Sequence, residues 1–272
     1  KLRNSPTGLT IGGELAFTIH RLQAGEILIA TLEEENSQNI VPVELPLNIV
    51  YEDEDILVVN KDAGVPIHPS QGHFDHTLAN AVAWYYQSKG QTLVYRAINR
   101  LDRDTTGLLV IAKHLLAGCI LSDQMLNRQI HRQYRAIVCG KTEKEGIIDA
   151  PIGRAEDSTV LRRIDFEHGE TARTRYRLLS YDEEKDLSYI SLKLDTGRTH
   201  QIRVSMAEIG CPLLGDGKYG DGQVNRRYGE TRQALYSYRL TFDFPTDAGL
   251  LNYLRGRSFQ VESVPFREKY FG

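Results

Sequence analysis

Three short stretches of the 272-residue sequence gather side chains able to do chemistry. The first is INRLDRDTTGLLVIAK, Ile98 to Lys113, where a loop dense in Arg, Asp and Thr runs directly into an apolar segment. A polar loop anchored on a rigid element is how catalytic groups are commonly held. An ordinary turn would use the same residues differently, with Asp102 or Asp104 capping backbone N–H groups and Gly107 supplying a positive φ. The second stretch is LDTGRTHQIRVSMAEIGCPLLGDGKYG, Leu194 to Gly220. Asp195-Thr196-Gly197 reads as a turn and Thr199 as a helix N-cap. His200 and Arg203 then fall at i,i+3 on the polar side of a short helix, making one face cationic. That pattern also fits a solvated surface helix. A His/Asp pair would suit a hydrolase, yet no Gly-x-Ser-x-Gly elbow or cysteine nucleophile accompanies it, and Ser205 sits mid-helix. The third is Tyr134 in RQYRAIVCG, between Arg132 and Arg135. In a strand, alternation is expected to set the tyrosine on the opposite face from the two arginines, and its ordinary role there is packing at a core edge.

The elements that must position these groups read as follows. AFTIHRL and EILIATLE, in the first 45 residues, are short β-like pieces followed by a polar linker, EEENSQN. IVYEDEDILVVNK, from Ile49, has two β-branched pieces around an acidic turn, the pattern of a hairpin. After Thr77, a candidate N-cap, Leu78, Val82, Tyr85 and Tyr86 recur at helical spacing up to Gly90. GLLVIAK reads as a buried strand, LLAGCILSDQMLNRQI as a helix and QYRAIVCG as another strand. Three more strand-like runs follow, TRYRLLSY, SYISLKLD and YSYRLTFDF, with the helix THQIRVSMAEIG before the last, its Ile202, Met206 and Ile209 on one face. Strands outnumber helices without strict βαβ alternation. The expectation is an α+β fold, a largely antiparallel mixed sheet with helices packed on it. A small N-terminal element over residues 1–45 would precede a main domain over residues 46–272.

Composition sets the limits. Hydrophobic residues make up 41% and charged residues 25%, ordinary globular usage, and no apolar run nears the roughly 18 residues a membrane-spanning helix needs. Cys119, Cys139 and Cys211 are far apart, with no CxxC or Cys/His pairing, so neither a disulfide framework nor a metal site is expected and a reducing cytoplasm is the natural location. The chain starts at Lys1 without a signal segment, and upstream residues are expected to be missing. Net charge is −3, which gives no overall reason to bind a polyanion. The charge is segregated, however: the stretch from Gln91 to Gly140 is rich in arginine, whereas Glu33–Glu35 and Glu52–Asp55 are acidic.

Taken together, NRLDRDTTGLLVIAK, RQYRAIVCG and TGRTHQIRVSMAEIGCPLLGDGKYG, in that order and spacing, resemble the motifs of the RluA-type RNA pseudouridine synthases. LNIVYEDEDILVVNKDAGVPIHPS and QALYSYRLTFDFP are similar to that family's opening and closing stretches, so the resemblance runs from about Leu47 to Pro245. RLQAGEILIATLEEE looks like the tail of the small ribosomal-protein-like RNA-binding module that many members carry in front.

The resemblance implies an isomerase that detaches uracil from ribose at N1 and rejoins it through C5 in ribosomal or transfer RNA, with no cofactor. Asp102 matches the family's catalytic aspartate, a carboxylate that acts at the anomeric carbon as nucleophile or base. Arg203 is the expected partner that orients it, with Arg198 as the competing candidate. Tyr134 matches the motif tyrosine expected to stack on the uracil and to assist loss of the C5 proton. Arg100 resembles the arginine that wedges into the space left by a flipped base, Arg103 would hold phosphate, and Arg198 and His200 join the RNA-binding set. Two positions depart from the pattern: Asn99 and Ser205 stand where the family often has His. RNA is the expected partner, and a monomer the default. A binding or ribosome-assembly protein on the same scaffold is the alternative, although it would have no need of a carboxylate facing RNA phosphates.

Overall fold

The computed structural model describes residues 8–17, 19–32, 40–70, 72–156 and 158–272. The acidic run Glu33–Glu35 and the linker around it lie outside the described residues. Three short strands, β1 (Leu9–Ile11), β2 (Glu14–Leu15) and β3 (Leu28–Ala30), make a separate antiparallel sheet in the order β2-β1-β3. EILIATLE contributes β3 as its pattern indicated. AFTIHRL yields no strand among its described residues, and the tight turn after Ile11 supplies β2 instead.

The main sheet is built from β4 (Ile49–Glu52), β5 (Ile56–Lys61), β6 (Thr106–Ala112), β7 (Ile130–Cys139), β8 (Glu145–Asp149), β11 (Arg173–Asp182), β12 (Leu187–Leu194) and β13 (Leu235–Phe242). Their order is β4-β5-β6-β13-β7-β12-β11-β8, with β14 (Ser258–Gln260) as a ninth strand on β13. A side hairpin, β9 (Ile152–Arg154) and β10 (Arg162–Ile164), lies off it. Every pairing is antiparallel except β6 with β13, so the fold is the α+β class with a largely antiparallel sheet. That parallel junction needs Gly107: at φ +112° its missing Cβ would otherwise lie 2.3 Å from the Ser237 carbonyl oxygen of β13. Only glycine accepts both the angle and the approach.

Helices cover both faces, which is why β5 and β6 are continuous apolar runs rather than alternating ones. Leu57, Val59, Leu109 and Ile111 pack against α1 (Leu78–Ser88), whose start is closed by a capping box between Thr77 and Asn80. Ile56, Val58, Leu108 and Val110 face α2 (Leu115–Leu126) and the 3-10 helix Gly249–Leu254. In the other half, Tyr134, Ala136, Ile190 and Leu192 pack on α3 (Gln201–Glu208). Ile137 and Tyr189 face the C-terminal side, where α4 (Gly222–Tyr228) and α5 (Pro265–Phe271) lie. Leu101 touches both the α1 cluster and the α3 cluster, so the loop that carries it lies at the seam between the two halves of the sheet.

Candidate active site

The loop from Asn99 to Thr105 is pinned from below. The buried Asn99 amide acts like a neighbouring strand, accepting from the Val110 N–H at 2.9 Å and donating to the Leu108 carbonyl at 3.3 Å. This explains how Asn serves at a position where the resembling family often has His. At the other end, Lys61 closes β5 and donates to three carbonyls, those of Arg103 (2.8 Å), Asp62 (2.8 Å) and Val65 (2.9 Å). Burial pushes its ammonium down to about 8. Between these anchors Asp102 stands at the loop's apex.

Opposite it, α3 does not begin as the sequence suggests. Thr199 is not the N-cap; His200 is, in a left-handed conformation (φ +57°) with no side-chain cap. Gln201, the first helical residue, ties the preceding turn to β11. Its Oε1 accepts from the Thr196 hydroxyl (2.8 Å) and the Arg198 N–H (2.9 Å), while Nε2 donates to the Arg173 carbonyl (3.0 Å) and to Thr174 Oγ1 (3.0 Å). Ser205 is buried beside Thr174, 3.2 Å between hydroxyls, and Ile209 ends the helix exposed rather than sharing the packed face.

Arg203 points inward and is 5% exposed, so the helix does not present the expected cationic outer face. Its Nη1 donates to Asp102 Oδ2 at 2.9 Å, and Nε and Nη2 form a fork on Asp216 at 2.7 and 2.8 Å. Asp216 is buried at 1% exposure and also accepts from the N–H groups of Lys218 and Tyr219. Burial would raise its pKa, but Arg203 and these N–H groups prevail and hold it below the usual carboxylate range. Burial likewise opposes the Arg203 charge, which its two carboxylates keep raised above the ordinary guanidinium value. Among the described residues no donor reaches the other oxygen of Asp102, Oδ1.

His200 completes this side. Its Nδ1 lies 2.8 Å from the Tyr219 hydroxyl, which also accepts from the Arg162 N–H at 2.8 Å. Its Nε2 lies 3.9 Å from Asp102 Oδ2. Burial pushes His200 down to about 4, against the pull of Asp102.

The remaining expected residues divide. Arg198 is drawn off by Glu170 and the Thr171 carbonyl, so it is Arg203 that meets Asp102. Arg100 is exposed on the cleft wall. Arg103 turns to Asp104 at 3.1 Å and does not line the cleft. Tyr134 is 3% exposed and forms the cleft floor; burial raises its phenol, while the neighbouring Arg132 guanidinium opposes that rise. The expected separation of Tyr134 from both arginines is wrong for one of them. Positions two apart on a strand share a face, so Arg132 lies in the cleft with Tyr134. Arg135 alone is on the other face, donating to Ser191 Oγ and stacked 4.3 Å from the Tyr238 ring.

These groups surround a cleft of about 800 Å³ at the seam of the sheet. Sequence reading gave no role to Asp216, Arg132 or Lys61. The one available signal was for Asp216: an arginine read as facing a catalytic carboxylate leaves donors over, and the quoted motif carries a further acid. Among the described residues no group of His, Cys, Asp and Glu could hold a metal ion, and no helix is long and apolar enough to cross a membrane.

Comparison with known proteins agrees with this architecture. Residues 55–208 match the RNA pseudouridylate synthase family. The Bacillus subtilis protein described as uncharacterized RNA pseudouridine synthase YhcT is 40% identical over 220 residues, covering 80% of this chain and 71% of that one. The ribosomal large subunit pseudouridine synthase D of Vibrio cholerae is 39% identical over 236 residues, covering 83% and 72%. Among solved structures, human RNA pseudouridylate synthase domain containing 1 superposes with a TM-score of 0.63 at 25% identity, over 82% of this chain and 94% of that one. With the family match over more than half its length and these relatives over most of it, the chain belongs to the RNA pseudouridylate synthases.

Proposed function

We propose that the chain converts specific uridines of ribosomal RNA to pseudouridine without a cofactor, with Asp102 as nucleophile. The observation that carries this reading is the asymmetry of Asp102. One oxygen is fixed by Arg203, itself locked by Asp216, while Oδ1 has no donor among the described residues and is left for chemistry. In this scheme Oδ1 attacks C1′ and the N1–C1′ bond breaks with its electron pair staying on uracil. The base turns on the Tyr134 floor, C5 rebuilds the bond to C1′, and Oδ1 leaves. The C5 proton departs to water and N1 is protonated. Burial keeps the Tyr134 phenol protonated, so it assists as a relay: its oxygen takes the C5 proton as its own hydroxyl proton passes to water.

Reaching a uridine inside folded RNA requires flipping it out, at a cost of a few kcal/mol in lost stacking and pairing. Arg100, exposed on the cleft wall, is the proposed wedge in the vacated stack. Arg198 and Arg103 are proposed to meet phosphates, and His200 to present Nε2 beside Asp102. The ribosomal substrate is suggested by the named Vibrio cholerae relative. We read residues 1–45 as an RNA-binding-module-like segment, and the enzyme as a cytoplasmic monomer.

The test is tritium release from [5-³H]uridine-labelled RNA of a host lacking this gene. Wild-type protein is expected to release it and Asp102→Asn to release none. Turnover by Asp102→Asn would remove the nucleophile assignment. Absence of release by wild type from both naked and ribonucleoprotein RNA would favour the RNA-binding scaffold alternative.

A further inference from the structure

Arg132 stands in the cleft beside Tyr134 with a buried N–H that has no acceptor among the described residues. Five buried side-chain polar atoms lack a partner among the described residues, and of these only the Nε of Arg132 belongs to a residue lining the cleft. Its Nη2 makes one long bond, 3.3 Å to the Thr196 carbonyl. Arg132 as a whole is half-buried and its guanidinium also reaches the neighbouring Tyr134 phenol, but a buried N–H left without an acceptor, as Nε is among the described residues, is unfavourable unless something else is to receive it. Room has been left for it: a Cβ at Gly197 would come within 2.9 Å of Nη2, and Gly197 has no positive φ that would require glycine. A methyl at Gly197 would therefore displace this guanidinium from where it now lies.

Arg132 and Tyr134 are same-face neighbours on β7, and such neighbours stand about 7 Å apart. A pyrimidine lying on the Tyr134 floor thus brings one exocyclic oxygen to Arg132. The chemistry gives that contact a purpose. When the N1–C1′ bond breaks, the pair left on N1 spreads to O2 and O4, and a preorganised donor in a closed site favours that charge more than it favours neutral uracil. We propose that Arg132 is an oxyanion-stabilising residue: its guanidinium donates to a uracil carbonyl oxygen and holds the negative charge of the departing base. This rests on the isomerisation reading above, and it applies whether Asp102 acts as nucleophile or base, since the same bond breaks in both.

The test uses single-turnover kinetics on transcripts of large-subunit ribosomal RNA containing either uridine or 5-fluorouridine, with loss of the starting nucleoside followed by mass spectrometry of nuclease digests. Fluorine makes the base a better leaving anion that needs less help. Arg132→Met is expected to slow uridine RNA by about a hundredfold. Its RNA affinity stays within about threefold, and the loss on 5-fluorouridine RNA is about tenfold or less, because only transition-state stabilisation has been removed. Gly197→Ala, which pushes a methyl into the guanidinium while keeping its charge, should show the same substrate pattern at smaller amplitude. Equal losses on both RNAs, or a loss confined to affinity, would overturn the proposal. Wild-type turnover separates the two readings. If wild type is inert, the isomerisation reading fails; if wild type and Arg132→Met are equally fast, only the role of Arg132 fails.

Discussion

Arg203 carries one positive charge between two carboxylates, and its orientation toward Asp102 depends on the fork it makes with Asp216. Asp216→Asn keeps the size but removes the charge, and it turns an amide donor toward a guanidinium that also only donates. Breaking one partner of a buried pair costs about 3–5 kcal/mol. The variant should therefore lose stability in urea unfolding, and its kcat should fall while KM stays nearly constant, since Arg203 orients the nucleophile rather than the RNA. A stable variant with unchanged kcat would remove the positioning role of Asp216. At this scale the sequence was legible where a motif named a residue, as for Asp102. It was not legible where a role depended on burial or backbone turn. Nothing in THQIR announces that His200 is left-handed and that Gln201 ties the turn before the helix to β11. That Arg132 shares the face of Tyr134 is carried by the sequence itself, since positions two apart on a strand point the same way.

The hairpin of β4 and β5 is tied to α1 through one carboxylate. Glu52 accepts from Tyr85 (2.6 Å), Tyr86 (2.9 Å) and Lys113 (3.0 Å), joining the sheet edge, the helix and the end of β6. Burial alone would raise Glu52, yet these donors lower it to about 2, from an ordinary value of 4.5. A depressed carboxylate contributes stability that is complete above its unfolded value and lost as pH falls through its folded one. Unfolding free energy should therefore decline between about pH 5 and pH 2. Glu52→Gln should flatten that decline and cost about 1–2 kcal/mol at pH 7, allowing for solvent screening of a partly exposed site. An acid limb identical in both proteins would show that the network contributes nothing. The strands and helices on this side were readable because β-branched runs and the Thr77 cap state their periods locally. The parallel pairing of β6 with β13 was not, since the residues it joins are more than a hundred positions apart and only Gly107 hints at the contact.

A chain with net charge −3 must bind a polyanion through the arrangement of its charges rather than their sum. Seven basic side chains line the cleft against two carboxylates, Asp102 and Asp195. Several of the cations are already engaged: Arg203 by its carboxylates, Arg198 by Glu170 and Arg175 by Asp195. Arg100, Arg128 and Lys193 have no ion-pair partner among the described residues, and they should supply most of the counterion release when RNA enters. Each phosphate contact to single-stranded RNA contributes about 0.7 to the slope of log affinity against log salt, and to a duplex about 0.9. Replacing Arg128 and Lys193 together by Gln should thus lower the slope by about 1.4 to 1.8, and weaken binding most at low salt. Filter binding of ribosomal RNA fragments across a salt series reads both quantities. Removing the already paired Arg175 instead should change the slope by less, because its carboxylate partner has displaced the counterions in advance. If the double variant and Arg175→Gln shift the slope equally, pairing within the cleft does not govern RNA affinity, and the acidic remainder of the surface must be counted as part of the binding field.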